Sequence, residues 1–201
     1  MSAETMRVDA GRRRFLMAAT SALGGAAIVG LASPFVLSML PSERAKALGA
    51  PVEADISRIE PGMIVTYEWR GQPVWVLHRT EDMLATLAKI EPSLRDPNSN
   101  NSAQPDYAKN RYRSIKPSWL VLTGICTHLG CSPTFRPEKA PPDLGPNWLG
   151  GFFCACHGSR YDLAGRVFKD VPAPLNMAVP PYQFLSETTV LIGDDTKKQE
   201  A

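Results

Sequence analysis

The rhythm of apolar and polar positions changes twice along this chain. From Phe15 to Leu40 there is no charged residue. A helix of that length extends roughly 39 Å at about 1.5 Å per residue, more than the roughly 30 Å hydrocarbon core of a bilayer. The run is also longer than the roughly 7–15 residues of a secretory h-region. It predicts one transmembrane helix over 15–40, with Gly24, Gly25 and Gly30 as close-packing positions and Pro34 as a tolerated kink site. Residues 41–54 are small, polar and broken by Gly49 and Pro51, the composition of a linker, which by itself reads as a passive spacer.

From Asp55 onward the period becomes two. Met63–Trp69 and Pro73–Arg79 flank Arg70-Gly71-Gln72 and predict a β-hairpin rich in branched and aromatic residues. Thr80 then reads as an N-cap, with Met83, Leu84, Leu87 and Ile90 on one helical face and Pro92 as the stop. Residues 96–116 are polar and Asn-rich, which predicts a surface insertion; 132–147 is a second one. Trp119–Leu122 and Gly151–Phe153 read as short buried strands. Tyr161-Asp162 and Arg166–Phe168 bracket Leu163-Ala164-Gly165 as a hairpin, and Val190–Ile192 is a last strand before a charged tail. No internal repeat is visible. The pattern predicts a mainly β protein: a small antiparallel head over 55–201 with one short helix, tethered by an N-terminal helix.

Composition narrows the class. A net charge of +2 over 201 residues makes no case for nucleic-acid binding. Eighteen prolines and fifteen glycines favour a loop-rich β head over a helix bundle. Gly11-Arg12-Arg13-Arg14-Phe15-Leu16 looks like a twin-arginine export signal within a 1–14 leader. Arg7 and Arg12–Arg14 precede the apolar run, whereas Arg44 and Lys46 follow it among acidic residues. The positive-inside rule then places the N-terminus in the cytoplasm and the head outside. Ala45-Lys46-Ala47 offers a small-x-small cleavage site, but it lies well past a run already long enough to span.

The chemistry sits in two clusters, Cys126-Thr127-His128-Leu129-Gly130-Cys131 and Cys154-Ala155-Cys156-His157-Gly158-Ser159. They use all four cysteines and two of the three histidines. Each follows a short apolar strand, and each supplies one thiolate and one imidazole to a possible metal site. Cys131 and Cys156 remain at matching places, available to bond each other. Zinc accepts two Cys and two His, although its usual pattern pairs C-x-x-C with spaced histidines. A Rieske 2Fe-2S centre, known to hold two Cys on one iron and two His on the other, fits the loops better. His78, alone at a strand end, has no ligand spacing and reads as structural.

These clusters, with Tyr161 and the Pro172-Ala173-Pro174-Leu175-Asn176 stretch, resemble the Rieske iron–sulfur subunit of the cytochrome bc complex, quinol:cytochrome c oxidoreductase. The resemblance spans anchor, hinge and head. It implies a Rieske-type antiparallel head with a cluster-binding part over about 120–178, carrying one 2Fe-2S cluster. It implies Cys126 and Cys154 on one iron, His128 and His157 on the other, and a Cys131–Cys156 disulfide. Ser159 and Tyr161 match positions whose hydroxyls hydrogen-bond the cluster, and such donors raise the potential by stabilising the reduced state. Leu129 matches an apolar docking tip, and Pro172, Ala173 and Pro174 match the loop covering the cluster. Many members carry Gly where this chain has Val171, which leaves the loop's path open.

The activity implied is electron transfer from quinol, bound in a pocket of cytochrome b, to a c-type cytochrome. His157 contacts quinol, the proton leaves on the outer side, and the head swings about 41–54. The chain would serve as a catalytic subunit of a dimeric, proton-translocating oxidoreductase in the bacterial inner membrane, single-pass, with its head in the periplasm. The alternatives are a Rieske subunit of another exported oxidoreductase such as arsenite oxidase, a Rieske oxygenase ferredoxin, or a zinc-stabilised membrane-anchored binding protein.

Overall fold

The computed structural model describes residues 9–196, without the side chains of Arg44 and Leu48. Arg7 and the last residues of the charged tail lie outside that range. The chain divides into two units at Ala47/Leu48.

The first unit is built on α1, Ala10–Ser38. It begins earlier than the uncharged run because Asp9 caps it: the carboxylate accepts the amides of Gly11 at 2.9 Å and Arg12 at 3.3 Å. The arginine triplet therefore lies on the first turns of the helix. Mean hydropathy reaches 1.8 over its most apolar window, and the helix is long and apolar enough to cross a membrane. Three of its hydroxyls are satisfied within it, Thr20 donating to the Leu16 carbonyl at 2.7 Å, Ser33 to Val29 at 2.6 Å and Ser38 to Phe35 at 2.7 Å. Groups buried in lipid need that arrangement.

The stretch 41–54 is more regular than its composition predicts. It holds α2, Glu43–Leu48, and most of β1, Val52–Asp55. Ala54 is fully buried, so β1 joins the sheet through a face too short for periodicity to reveal. Only 49–51 lies between these elements without helix or strand.

The second unit is three small antiparallel sheets and one capped helix. β2 (Ile64–Trp69), β3 (Gln72–His78) and β4 (Trp119–Thr123) form one sheet in the order 2-3-4. β5 (Thr134–Arg136), β6 (Gly151–Cys154) and β7 (Ser159–Tyr161) form the second, and β1, β9 (Thr189–Ile192) and β8 (Tyr182–Phe184) the third. The helix α3, Glu81–Ile90, is capped by the Thr80 hydroxyl, which accepts the Met83 amide. Strands β5 and β8, three residues each, were too short to stand out as patterns. The expected hairpin after Tyr161 is a tight turn closed by one bridge, Tyr161 to Val167.

The sheets share one core, in which Trp75 stacks on Phe152 with ring centroids 5.2 Å apart. Gly124 ends β4 where the Trp75 indole leaves no room for a Cβ. This close approach lets β4 run directly into the first cluster. At Gly151 a Cβ would collide with the Tyr161 carbonyl, so glycine permits β6 to pair with β7.

Segment 96–116 is not the surface insertion its polarity predicts. Ser99, Ala108 and Arg113 are fully buried, and Ser114 nearly so. Its polar side chains find partners inside the fold, as do those of two further buried arginines. Arg79 donates to the carbonyls of Pro117, Tyr112 and Leu163 and to the Ser114 hydroxyl. Arg113 reaches the Ala164 and Gly165 carbonyls and Gln104, and Arg166 binds the Asp162 carboxylate and the Leu87 carbonyl. Together they pin the turn that follows Tyr161.

Candidate metal centre

The two clusters form two loops of the same construction. In the first, the Gly130 amide returns to the Cys126 carbonyl at 3.0 Å; in the second, the Gly158 amide returns to the Cys154 carbonyl at 2.9 Å. Gly130 sits at φ 83° and Gly158 at φ 79°, conformations that favour glycine. Each loop thus turns its Cys and its His toward the same end of the β5-β6-β7 subdomain. The glycine four residues after each cysteine was a signal for paired loops that spacing of ligands alone did not use.

Cys131 and Cys156 form a disulfide that joins the loops. Cys126 and Cys154 are free thiols, each 2% exposed. The sulfurs of Cys131, Cys154 and Cys156 lie within 4.8 Å of one another, but the disulfide leaves only Cys154 of the three able to ligate. The rings of His128 and His157 meet edge to face with centroids 4.7 Å apart. His128 is half-buried and His157 exposed, so the two imidazoles differ in access to solvent.

Hydrogen bonds converge on Cys126. The Tyr161 hydroxyl lies 3.2 Å from its sulfur and accepts the Thr127 amide at 3.1 Å. Burial pushes the Cys126 thiol up, but bonds from Tyr161, the His128 amide, Cys154 and Ser159 outweigh it and the net shift is downward. Cys154 moves the other way, raised by burial and by its bond with Cys126. The Tyr161 hydroxyl is held above its ordinary range by burial and by Cys126, so it remains a proton donor. One thiolate is thus favoured, and a second beside it is not, unless a cation shares them.

The donor set fits an iron–sulfur cluster. Two adjacent buried thiols and two facing imidazoles make a mixed site that a disulfide alone does not require. The Nδ1 of His128 is buried without a hydrogen bond. An orphaned buried ring nitrogen costs about 1–3 kcal/mol, and ligation of iron removes that cost.

The 172–176 stretch, expected to cover the cluster, is tied to Ser159 and Thr127. The Ala173 amide donates to the Ser159 hydroxyl at 3.1 Å, and the Thr127 hydroxyl donates to the Leu175 carbonyl at 2.6 Å. Val171 takes the place of glycine without positive φ, because the left-handed residue is Asp170, at φ 56°. Ala173 is fully buried while Pro172 and Pro174 face outward, so the loop covers with one residue and presents the other two. Leu129 is 71% exposed at the tip of the first loop. Thr127 and Asn176 are the polar residues here that sequence reasoning gave no role. His78 lies apart, stacked on Trp119 at 4.1 Å with its Nδ1 2.8 Å from the Ile59 carbonyl.

Comparison with known proteins agrees with this geometry. Residues 106–183 match the Rieske [2Fe-2S] domain, and residues 1–42 match the ubiquitinol-cytochrome C reductase Fe-S subunit TAT signal. The chain is 60% identical to the ubiquinol-cytochrome c reductase iron-sulfur subunit of Allochromatium vinosum, over 92% of this chain and 89% of that protein. It belongs to the family of ubiquinol–cytochrome c reductase iron–sulfur subunits. The Rhodospirillum rubrum member is 42% identical over 96% of this chain and 97% of its own length. A chain of a hyperthermophilic respiratory Complex III superposes with a TM-score of 0.48 and 25% identity, covering 87% of this chain and 98% of that one. As a family member the chain carries a Rieske 2Fe-2S cluster on a mainly antiparallel β head, with an export signal and an apolar N-terminal helix that together indicate a membrane-anchored, exported head.

Proposed function

We propose that this Rieske subunit takes electrons one at a time from quinol in a pocket of cytochrome b and delivers them to a c-type cytochrome. Cys126 and Cys154 bind one iron, and His128 and His157 the other. When bound, the 2Fe-2S cluster supplies reversible one-electron transfer. The residues around it supply the rest. His157 carries the reading: it is the exposed imidazole, packed edge-on against the half-buried His128. A ligating imidazole keeps a second ring nitrogen, which can bond a quinol hydroxyl and take its proton to the outer side. Leu129, Pro172 and Pro174, all exposed, would supply apolar docking surface. Tyr161 and Ser159 place their protons toward the sulfurs and favour the reduced state.

The surrounding arrangement follows the same reading. The arginine-rich start of α1 stays in the cytoplasm, the helix crosses the bacterial inner membrane once, and the head works in the periplasm within a dimeric, proton-translocating complex. Segment 41–54 acts as the hinge between the cytochrome b and cytochrome c positions. The arsenite oxidase, oxygenase ferredoxin and zinc alternatives have no specific observation in their favour.

The purified membrane complex, once reduced, should give an axial electron paramagnetic resonance signal, with non-haem iron and acid-labile sulfide in equal amounts. Zinc in the head, with no such signal, would refute the assignment. Ser159→Ala should lower the midpoint potential by some tens of millivolts, because losing a bond of about 1 kcal/mol shifts a one-electron couple by roughly 40 mV. A redox titration checks this, and an unchanged potential would remove Ser159 from the cluster's surroundings.

A further inference from the structure

Segment 96–102 reaches across the fold to the loop that covers the centre. Asp96 is buried, and its carboxylate accepts the amides of Asn100 at 2.8 Å and Asn101 at 3.0 Å and the Ser102 hydroxyl at 3.1 Å. The Ser102 oxygen in turn accepts the backbone amide of Asn176 at 3.2 Å. Asn176 is 1% exposed, and both ends of its side chain are engaged. Its Oδ1 accepts the Val167 amide at 2.8 Å, and its Nδ2 donates to the Asp96 carbonyl at 3.0 Å and the Ser99 hydroxyl at 2.9 Å. The Val167 donor fixes which end is oxygen.

Asn176 closes the cover loop, and three residues earlier the Ala173 amide meets the Ser159 hydroxyl. A hydroxyl oxygen that accepts an amide on one side directs its own proton to another. Ser159 is fully buried and lies opposite the ligand Cys154 in the β6–β7 pairing. A chain of hydrogen bonds and three residues of backbone therefore join Asp96, Ser102, Asn176, Ala173 and Ser159.

We propose that Asn176, held by Ser99 and Ser102, is a positioning residue that sets the height of Ala173 and so aims the Ser159 hydroxyl at the cluster sulfurs. The inference rests on the placement of Ser159 made above. It gives segment 96–102, which contains no ligand, a part in setting the cluster potential.

The test is a double-mutant cycle in the intact membrane complex, read as midpoint potential. Ser102→Ala should lower the potential in the same direction as Ser159→Ala but by less. The double variant should match Ser159→Ala alone, because Ser102 acts through Ser159. Loss of cluster to a chelator should quicken about fivefold in Ser102→Ala, the equivalent of one ordinary hydrogen bond. Ser99→Ala carries the same test should Ser102→Ala fail to assemble. Asn110→Ala is the control for plain destabilisation: its side chain bonds Tyr107, Tyr112 and Ser114 within the segment. It should lower the melting temperature and leave the potential unchanged. An unchanged potential in Ser102→Ala beside a lowered one in Ser159→Ala overturns the positioning role, as do additive shifts. No shift in Ser159→Ala overturns this inference and the placement of Ser159 together.

Discussion

His157→Gln should abolish the axial resonance signal and the non-haem iron and bring quinol oxidation to background, while His78→Gln leaves all three in place. The same substitution separates the two histidines because their surroundings differ. His157 is exposed and faces His128 at 4.7 Å, beside two buried free thiols. An amide of similar reach is a poor iron ligand and lacks the second titrating nitrogen that quinol oxidation needs. His78 stacks on Trp119 and bonds the Ile59 carbonyl, so its replacement costs about 1 kcal/mol of stability and no chemistry. Metal analysis, the resonance spectrum and a quinol-dependent cytochrome reduction assay read the three outcomes. A His157→Gln complex retaining iron and the axial signal would end the ligand assignment.

Asp162→Ala should be the most damaging single change to the stability of the head. Asp162 is 1% exposed and accepts three hydrogen bonds, from the Ala164 and Arg166 amides and from the Arg166 Nε at 2.8 Å. The Arg166 Nη2 adds an ion-pair contact at 2.8 Å. The Asp162 charge also acts on Arg79 and Arg113, both of which burial lowers to about 10. Removing the carboxylate leaves the buried Arg166 guanidinium with only the partly exposed Glu91, at 3.4 Å, as counter-charge, a change that costs about 3 kcal/mol or more. Asp162→Asn keeps the shape and should cost less. Lys116→Ala, which breaks an exposed pair with Glu187, should cost no more than about 1 kcal/mol. Thermal loss of the cluster's visible circular dichroism ranks the three. An Asp162→Ala midpoint no lower than that of Lys116→Ala would show that this pair does not hold the turn. Because the turn follows Tyr161, partial loss should also disturb the Cys126 contact before the head unfolds.

How much of this was legible in the chain varied with the range of the interactions. The hairpin of β2 and β3 and the capped α3 came from local rhythm and one Thr, and the structure places them within a residue or two of that reading. The ligand loops were visible because four cysteines and two histidines in two short strings leave few arrangements. Strands β1, β5 and β8 were not: V-E-A-D, T-F-R and Y-Q-F mix polar and apolar residues over three or four positions, whereas the equally short β6 and β9 carry apolar runs. The polarity of 96–116 misled for a clearer reason. Charged and amide groups are ordinarily solvated, but here Arg113, Ser99 and Asp96 exchange water for carbonyls and side chains far along the chain.

The sequence by itself determined the apolar helix, the β character of the head and the paired Cys-His loops, because each is written in neighbours along the chain. The matching places of Cys131 and Cys156 and the family resemblance already pointed to the disulfide that forms, whereas which imidazole faces solvent and which distant groups hold the 172–176 loop were decided only by the tertiary structure. Those facts depend on loops 25 residues apart meeting at the disulfide, and on Asn176 reaching Ser99 across 77 residues. Local pattern records a residue's own preference for water or for a turn. Only the folded chain shows which distant group meets that preference, and here the meeting places are the metal centre and the network behind it.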